Sequence, residues 1–283
     1  LIAIRSGISL PFLTFMKWLI IPTILNLFLT YFILKVYFKK ELSKVPNHVN
    51  HGNKIVITKD DALLSTNVIT NPYLARISVI ILFLTVLGFV ISEVLQFLFR
   101  IPYFNISVIA AFGAIALYAL SNERRELLYN VDYSVLVFFA AMFVFTAALW
   151  TSGLIPEIMS NIPNPVADHN NNIRNNAIIS IVSVTFSQLL SNVPFVVIYN
   201  NVMIDNGFNA DDVSQWMMLA AASTIAGNLT IFGAASNVII IEAAESRNVK
   251  AFSYTEFLKI GFVVTVTNLA IYYLFITFIF GRI

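Results

Sequence analysis

The chain has no cysteine, which removes disulfide frameworks, thiolate metal sites and cysteine nucleophiles from consideration. Charge is scarce: 11% of the 283 residues are Asp, Glu, Lys or Arg, less than half the roughly 25% of an ordinary globular domain. The three histidines, His48, His51 and His169, all fall in polar loops, and none is taken as a functional residue. There is no H-E-x-x-H, no G-x-S-x-G, no Walker loop and no pair of intramembrane aspartates, so no enzyme is expected. A net charge of +2 marks out no nucleic-acid partner. What is abundant is apolar surface. Hydrophobic residues make up 58% of the chain and the mean hydropathy is +0.81, which places it in the membrane class.

Apolar runs of roughly bilayer-spanning length read at Phe12–Phe38, Ile77–Phe97, Tyr103–Leu120, Tyr133–Trp150 and Phe257–Phe280. Two further runs are interrupted. Ile178–Ile204 is broken by Gln188-Leu-Leu-Ser191-Asn192-Val-Pro194. Val213–Ala244 is broken by Thr224-Ile-Ala-Gly-Asn228-Leu-Thr230-Ile-Phe-Gly-Ala-Ala-Ser236-Asn237. Lysine and arginine assign the sides. Lys35, Lys39, Lys40, Lys44, Lys54, Lys59 and Arg76 make the segment up to residue 76 cytoplasmic; Arg124 with Arg125 and Arg247 with Lys250 mark later cytoplasmic turns. Loops 151–172 and 205–212 hold no cation but carry Glu157, Asp168, Asp205, Asp211 and Asp212, as outer loops should. The alternation works if Ile178–Ile204 enters and leaves on the outer side, as a re-entrant hairpin with Ser191–Pro194 at its tip. A proline-kinked full span is the alternative, and it would put Arg247 and Lys250 outside.

A shift of 242 residues aligns Phe15, Lys17, Thr23, Asn26, Leu27 and Tyr31 with Phe257, Lys259, Thr265, Asn268, Leu269 and Tyr273. The charge rule runs the first copy inward and the second outward, which is the mark of an inverted-repeat transporter. Residues 1–38 then read as the last span of a first repeat whose remainder is expected to be missing from this chain. Residues 39–76 read as a cytoplasmic linker and 77–283 as the second repeat. That repeat divides into scaffold helices (77–150 and 257–280), the hairpin (173–204) and the broken helix (213–245). The expected fold is thus an all-α polytopic membrane protein, built as an inverted-repeat secondary transporter with a re-entrant hairpin and a discontinuous helix.

A helix broken inside a bilayer must meet something other than lipid. Ser191, Asn192, Thr224, Asn228, Thr230, Ser236 and Asn237 supply neutral donors and acceptors at the two breaks, and Gly227 with Gly233 lets backbone approach closely. These nine positions are the expected substrate- or ion-binding set. The plainer alternative is that small polar residues merely pack helices together. Glu242 lies one to two turns past the second break and is a candidate proton site. Glu93 is expected at an interface, and Lys17 and Lys259 are expected to snorkel to the membrane surfaces. No metal site and no cofactor is expected beyond a coupling Na⁺ or H⁺.

Several of these segments resemble the ion transporter superfamily: Asp132-Tyr-Ser-Val-Leu-Val-Phe-Phe139, Ser152-Gly-Leu, Ser191-Asn-Val-Pro194, Gly227–Val238 and Phe252–Gly261. The arsenite and sodium–proton antiporter type permeases, P-protein-like, are the nearer branch; citrate and dicarboxylate carriers are further off. The resemblance implies a scaffold and a moving transport domain with two hairpins and two broken helices, often dimeric, working by alternating access in the plasma membrane. It puts Ser191 and Asn192 on a hairpin tip, with Asn228, Thr230, Ser236 and Asn237 on the facing break. Ser-Asn-Val stands where dicarboxylate carriers have Ser-Asn-Thr, and Ser191 where the P-protein pattern has Asp. The neutral lining, with no arginine to clamp a carboxylate, fits a small inorganic solute or anion such as arsenous acid better than citrate. A Na⁺/H⁺ antiporter, a sodium-coupled dicarboxylate carrier and a non-transporting scaffold or channel are the other readings.

Overall fold

The structure is a computed structural model. It describes residues 2, 6–8, 10–42, 71–99, 106–122, 124–129, 133–162, 164–167, 171–190, 192–245 and 253–280. Ser191, Asp168, the three histidines, Arg247, Lys250 and most of the linker lie outside the described residues, as does the side chain of Glu242.

Every regular element described is helical. We name the longer helices α1 (Pro11–Tyr37), α2 (Pro72–Phe99), α3 (Ile106–Leu120), α4 (Tyr133–Thr151), α5 (Asn172–Leu190), α6 (Asn192–Asp205), α7 (Val213–Ala226), α8 (Ala235–Glu245) and α9 (Tyr254–Leu274). Helix α9 runs on as a π-helical turn over Phe275–Phe280. Three of these are long and apolar enough to cross a membrane: α1, α2 and α9 with its π extension. Their flanks expose Leu27, Phe28, Phe83, Phe97 and Phe262, a surface that suits lipid and not water. Helix α3 is described over 15 residues, about 22 Å, of the run expected at Tyr103–Leu120; Tyr103–Asn105 lie outside the described residues.

The chain divides into two compact units. Residues 39–133 form one, in which α2 and α3 pack through small residues. A methyl on Gly113 would meet the Thr85 hydroxyl at 2.5 Å, and one on Gly88 would meet Ile109 Cγ2 at 3.1 Å. Glu93, near the C-terminal end of α2, is buried at 2% exposure.

Residues 1–38 and 134–283 form the other unit, which carries both interrupted segments. Its core sits between α5, α6 and α7, where Ile179, Phe195, Tyr199, Trp216, Met217 and Leu219 are fully buried. The chain doubles back between α5 and α6. Ala167, just ahead of α5, donates its N–H to Asn206 O just past α6 (3.2 Å), so both ends of the α5–α6 pair lie together. A kinked continuous helix would hold them far apart. Helix α7 then runs parallel to α5: Asn176 Nδ2 donates to Ser214 Oγ (2.9 Å) and Gln188 Nε2 to Ala226 O (2.8 Å), both pairs 38 residues apart. Helix α9 is antiparallel to α7, with Thr277 of the π turn accepting from Asn176 Nδ2 (3.0 Å) at one end and Gly261 against Asn228 at the other. Helix α1 crosses α9 antiparallel along a polar seam. Asn26 Nδ2 donates to Asn268 O (3.3 Å), Asn268 Nδ2 to Thr30 Oγ1 (3.1 Å), and Thr23 shares a hydrogen bond with Tyr272 (2.6 Å). Lys17 and Lys259 are both exposed.

Candidate functional site

Helix α5 ends at Leu190 and α6 starts at Asn192. Pro194 stands in the first turn of α6, where its missing N–H costs no helical hydrogen bond. Helix α7 stops at Ala226 for a different reason. Asn228 N–H bonds to Ile225 O (2.9 Å) and Leu229 N–H to Ala226 O (3.1 Å), tightening the last turn to three-residue spacing. Thr230 (φ −131°, ψ 162°) and Ala234 (φ −144°, ψ 139°) are then fully extended, on either side of one 3₁₀ turn at Ile231–Gly233. This is a true break in the helix, and α8 resumes only at Ala235.

Side chains close the break from both directions. Asn237, on the first turn of α8, reaches back and donates Nδ2 to Gly227 O (2.7 Å) and Thr230 O (3.2 Å). These are carbonyls that an uninterrupted helix would have satisfied. From the hairpin, Gln188 donates Nε2 to Val184 O (2.9 Å) and Ala226 O (2.8 Å), while its Oε1 accepts from Thr230 Oγ1 (2.8 Å). The glycines are fixed by space. A methyl on Gly233 would lie 2.8 Å from Ala226 O, 2.8 Å from Gln188 Oε1 and 3.2 Å from Gly227 Cα, and one on Gly227 would lie 3.0 Å from Ala234 Cβ.

The expected site residues therefore fall into two groups. Gly227, Thr230, Gly233 and Asn237 are interlocked and hold the break's shape. Thr224, Asn228 and Ser236 are exposed, and Asn192 is half-buried at the start of α6. Thr224 turns its hydroxyl to Ala220 O (2.8 Å). Ser191 lies outside the described residues. Two residues were not in the expected set. Gln188 lies in the polar cluster that interrupts the hairpin, and an amide amid apolar residues was its signal. Gly261 of α9 backs directly onto Asn228 O and Leu229 O; only its small size marked it.

No residue in 184–196 or 224–237 is charged. The electrostatics come from helix ends: the C-termini of α5 and α7 carry partial negative charge, the N-termini of α6 and α8 partial positive charge. Among the described residues no group of three His, Asp or Glu could hold a metal ion. The arrangement can hydrogen-bond a small polar solute, but it offers no acid, base or nucleophile for bond chemistry.

The citrate transporter family matches residues 1–220 of this chain, so the break itself rests on its own geometry. The chain belongs to the citrate transporter family. That family is one of transporters and not of enzymes, and with its membrane-length helices the protein is an integral membrane protein. Among curated relatives, a silicon efflux transporter of Oryza sativa is 32% identical over 155 residues, covering 53% of this chain and 32% of the relative. The P protein of Mus musculus is 30% identical over 229 residues, covering 76% of this chain and 27% of the relative. A 46 kDa membrane protein of Mycobacterium leprae is 28% identical over 170 residues, covering 58% and 39%. The chain thus spans between about a quarter and two fifths of the length of these relatives. No solved structure matches it.

Proposed function

We propose that this family member is a secondary-active transporter of a small inorganic solute, hydroxylated and uncharged or anionic, with arsenous acid as the best single representative. It works by alternating access and is coupled to H⁺ or Na⁺. One observation carries the reading: the hairpin and the helix break meet at Gln188, in a region where no side chain is charged. A citrate-sized polyanion calls for fixed cations, usually arginine forks, whereas a small polyhydroxy solute is bound by amides, hydroxyls and helix ends. A relative named as a silicon efflux transporter favours the same class, since silicic acid, like arsenous acid, is a neutral polyhydroxy molecule at neutral pH.

The α5–α6 hairpin is read as re-entrant from the outer face, with Ser191 and Asn192 at its tip beside Asn228 and Ser236. The inverted repeat is supported by the α1–α9 seam. Asn26 and Asn268 are matched by the 242-residue shift, and they bond to each other across antiparallel helices. Equivalent positions touch in this way where a two-fold pseudo-axis passes between them. The solute site would then be completed by residues of a first repeat, and the transporter would act as a dimer in the plasma membrane. A Na⁺/H⁺ antiporter using Glu242 is the second reading.

Flux into proteoliposomes tests the proposal with arsenous acid, silicic acid, phosphate, citrate, Na⁺ and H⁺ gradients. Saturable movement of arsenous or silicic acid is expected. Movement of citrate alone transfers the protein to the carboxylate carriers, and Na⁺/H⁺ exchange with no solute movement favours the second reading.

A further inference from the structure

Gln188 contributes something that its place in a polar cluster does not explain. Its amide spans two segments of chain that have no covalent reason to stay together. Its Nε2 bonds within its own helix to Val184 O (2.9 Å) and across to Ala226 O (2.8 Å), the last residue of α7. Its Oε1 takes the Thr230 hydroxyl (2.8 Å) on the far side of the turn. One side chain thus grips both edges of the three-residue turn Gly227–Leu229. Gly233 is kept bare beside it, since a methyl there would stand 2.8 Å from Gln188 Oε1. The groups it holds are part-buried, and leaving them without a partner costs free energy.

We propose that Gln188 is a positioning residue that locks the hairpin tip to the helix break, so that the two polar elements keep one fixed spacing and move as one body. This rests on the reading that tip and break form one solute site. Neither Asn192 nor Asn228 need touch Gln188 for it to set their separation: Gln188 stands four residues before Asn192 in the chain, and its partners Ala226 and Thr230 flank Asn228. The geometry also demands an amide in particular. A donor must face Ala226 O and an acceptor must face Thr230 Oγ1, from the same planar group. A carboxamide offers both from adjacent atoms, as does a protonated carboxylic acid, whereas a carboxylate offers no donor.

That requirement makes the test sharp. The cysteine-free chain accepts spin labels at two introduced cysteines, Leu189→Cys at the tip and Ile240→Cys on α8, positions that are 77% and 66% exposed. The full chain in lipid nanodiscs is measured by pulsed electron resonance, with Gln188 retained or replaced by Ala or Glu. With Gln188 the distance distribution is expected to be narrow, and with Gln188→Ala broad, at all pH values. With Gln188→Glu it should be narrow in acid, where the carboxylic acid donates to Ala226 O and accepts from Thr230. It should broaden as pH rises and the carboxylate turns a second set of lone pairs on that carbonyl. Thr230→Val should broaden the distribution less than Gln188→Ala, because the bond to Ala226 survives. In flux assays with arsenous acid, Gln188→Ala should raise KM by about tenfold, as expected for losing a net hydrogen-bond energy of about 1.4 kcal/mol, with a smaller change in maximal rate. A Gln188→Ala distribution as narrow as that of the parent, or a Gln188→Glu distribution indifferent to pH, overturns the proposal. The distance measurement needs no transported solute. A protein that moves none of the solutes yet shows the pH-dependent spacing sinks the functional reading alone.

Discussion

Gly261→Ala is the most discriminating single substitution, because general principles and this structure give it opposite signs. Gly261 lies inside α9, and alanine in a helix interior is normally more favourable than glycine by about 0.5–1 kcal/mol. Here the new methyl would stand 2.8 Å from Leu229 O, 3.3 Å from Asn228 C and closer still to Asn228 O. An ordinary contact begins near 3.4 Å, so α9 and the break must separate by at least about 0.6 Å. The obstructing atoms are backbone, pinned by the Asn228 and Leu229 N–H bonds back to Ile225 and Ala226. They cannot rotate aside as a side chain would. Overpacking of this kind costs about 1–3 kcal/mol, enough to outweigh the propensity gain. At the upper end that is a loss of roughly 100-fold in the population holding the native break. Gly88→Ala is the milder comparison: its methyl meets a single side-chain atom, Ile109 Cγ2 at 3.1 Å, so a shift of about 0.3 Å relieves it. Thermal denaturation in detergent and solute KM in proteoliposomes should fall and rise, respectively, for Gly261→Ala and hold or improve for Gly88→Ala. If Gly261→Ala matches Gly88→Ala in both, α9 does not press on the break and the packing argument fails.

Asn237→Ala should leave Gly227 O and Thr230 O without their donor, costing about 1–3 kcal/mol. Hydrogen exchange should accelerate at the amides of 228–234, and Asn237→Asp, which cannot donate, should do no better. Asn268→Leu removes the side-chain bonds to Thr30 and leaves in place the Asn26 bond, which is made to the Asn268 backbone carbonyl. The loss should be about 0.6–1.7 kcal/mol, the range of interhelical hydrogen bonds in membranes, and a double-mutant cycle with Thr30→Val should show non-additivity. Ser253 caps α9 by accepting from Glu256 N–H (3.3 Å), within a Ser-x-x-Glu capping-box sequence. Ser253→Ala should cost about 1 kcal/mol in a denaturation experiment, and Ser253→Asp should restore most of it.

The interruptions in the helices were legible because polarity inside an apolar run has few innocent explanations in a bilayer. The Ser-Asn cluster at 191–192 and the glycine-rich stretch from 224 to 237 marked where α5 and α7 would stop, to within a residue or two. The division of labour within the break was not legible. Asn228 and Asn237 look alike in sequence, yet Asn237 is spent on two backbone carbonyls while Asn228 stays exposed. Which amide faces inward depends on how the chain leaves the 3₁₀ turn, and local composition does not encode that. Gln188 was visible as a polar interruption, but its role depends on a partner 38 residues away. Gly261 carried no signal of its own, because one glycine in a helix reads the same whether or not a carbonyl stands behind it.

The coincidence of the two breaks follows from the register of α5 against α7 and not from the length of either helix. Helix α5 has 19 residues and α7 has 14, so equal starting depth alone would leave their ends more than a turn apart. Near the N-terminal ends, Asn176 pairs with Ser214, which is only the second residue of α7; near the C-terminal ends Gln188 pairs with Ala226, its last. The offset of 38 residues is the same at both contacts, and it sets Leu190 level with Asn228. The α5 helix therefore starts about three residues before the level of α7's start and ends about two residues beyond the level of its end. Buried Asn176 at one end and Gln188 at the other act as two pins on a parallel pair, and sliding by one residue would break both while turning each side chain by about 100°. The loop at 206–212 is itself tied down, by buried Phe208 and by Asn209 O, which accepts from Trp216 Nε1 (2.7 Å). The spacing between Asn176 and Gln188, and not the Ser-Asn tip alone, is then the feature on which a shared solute site depends.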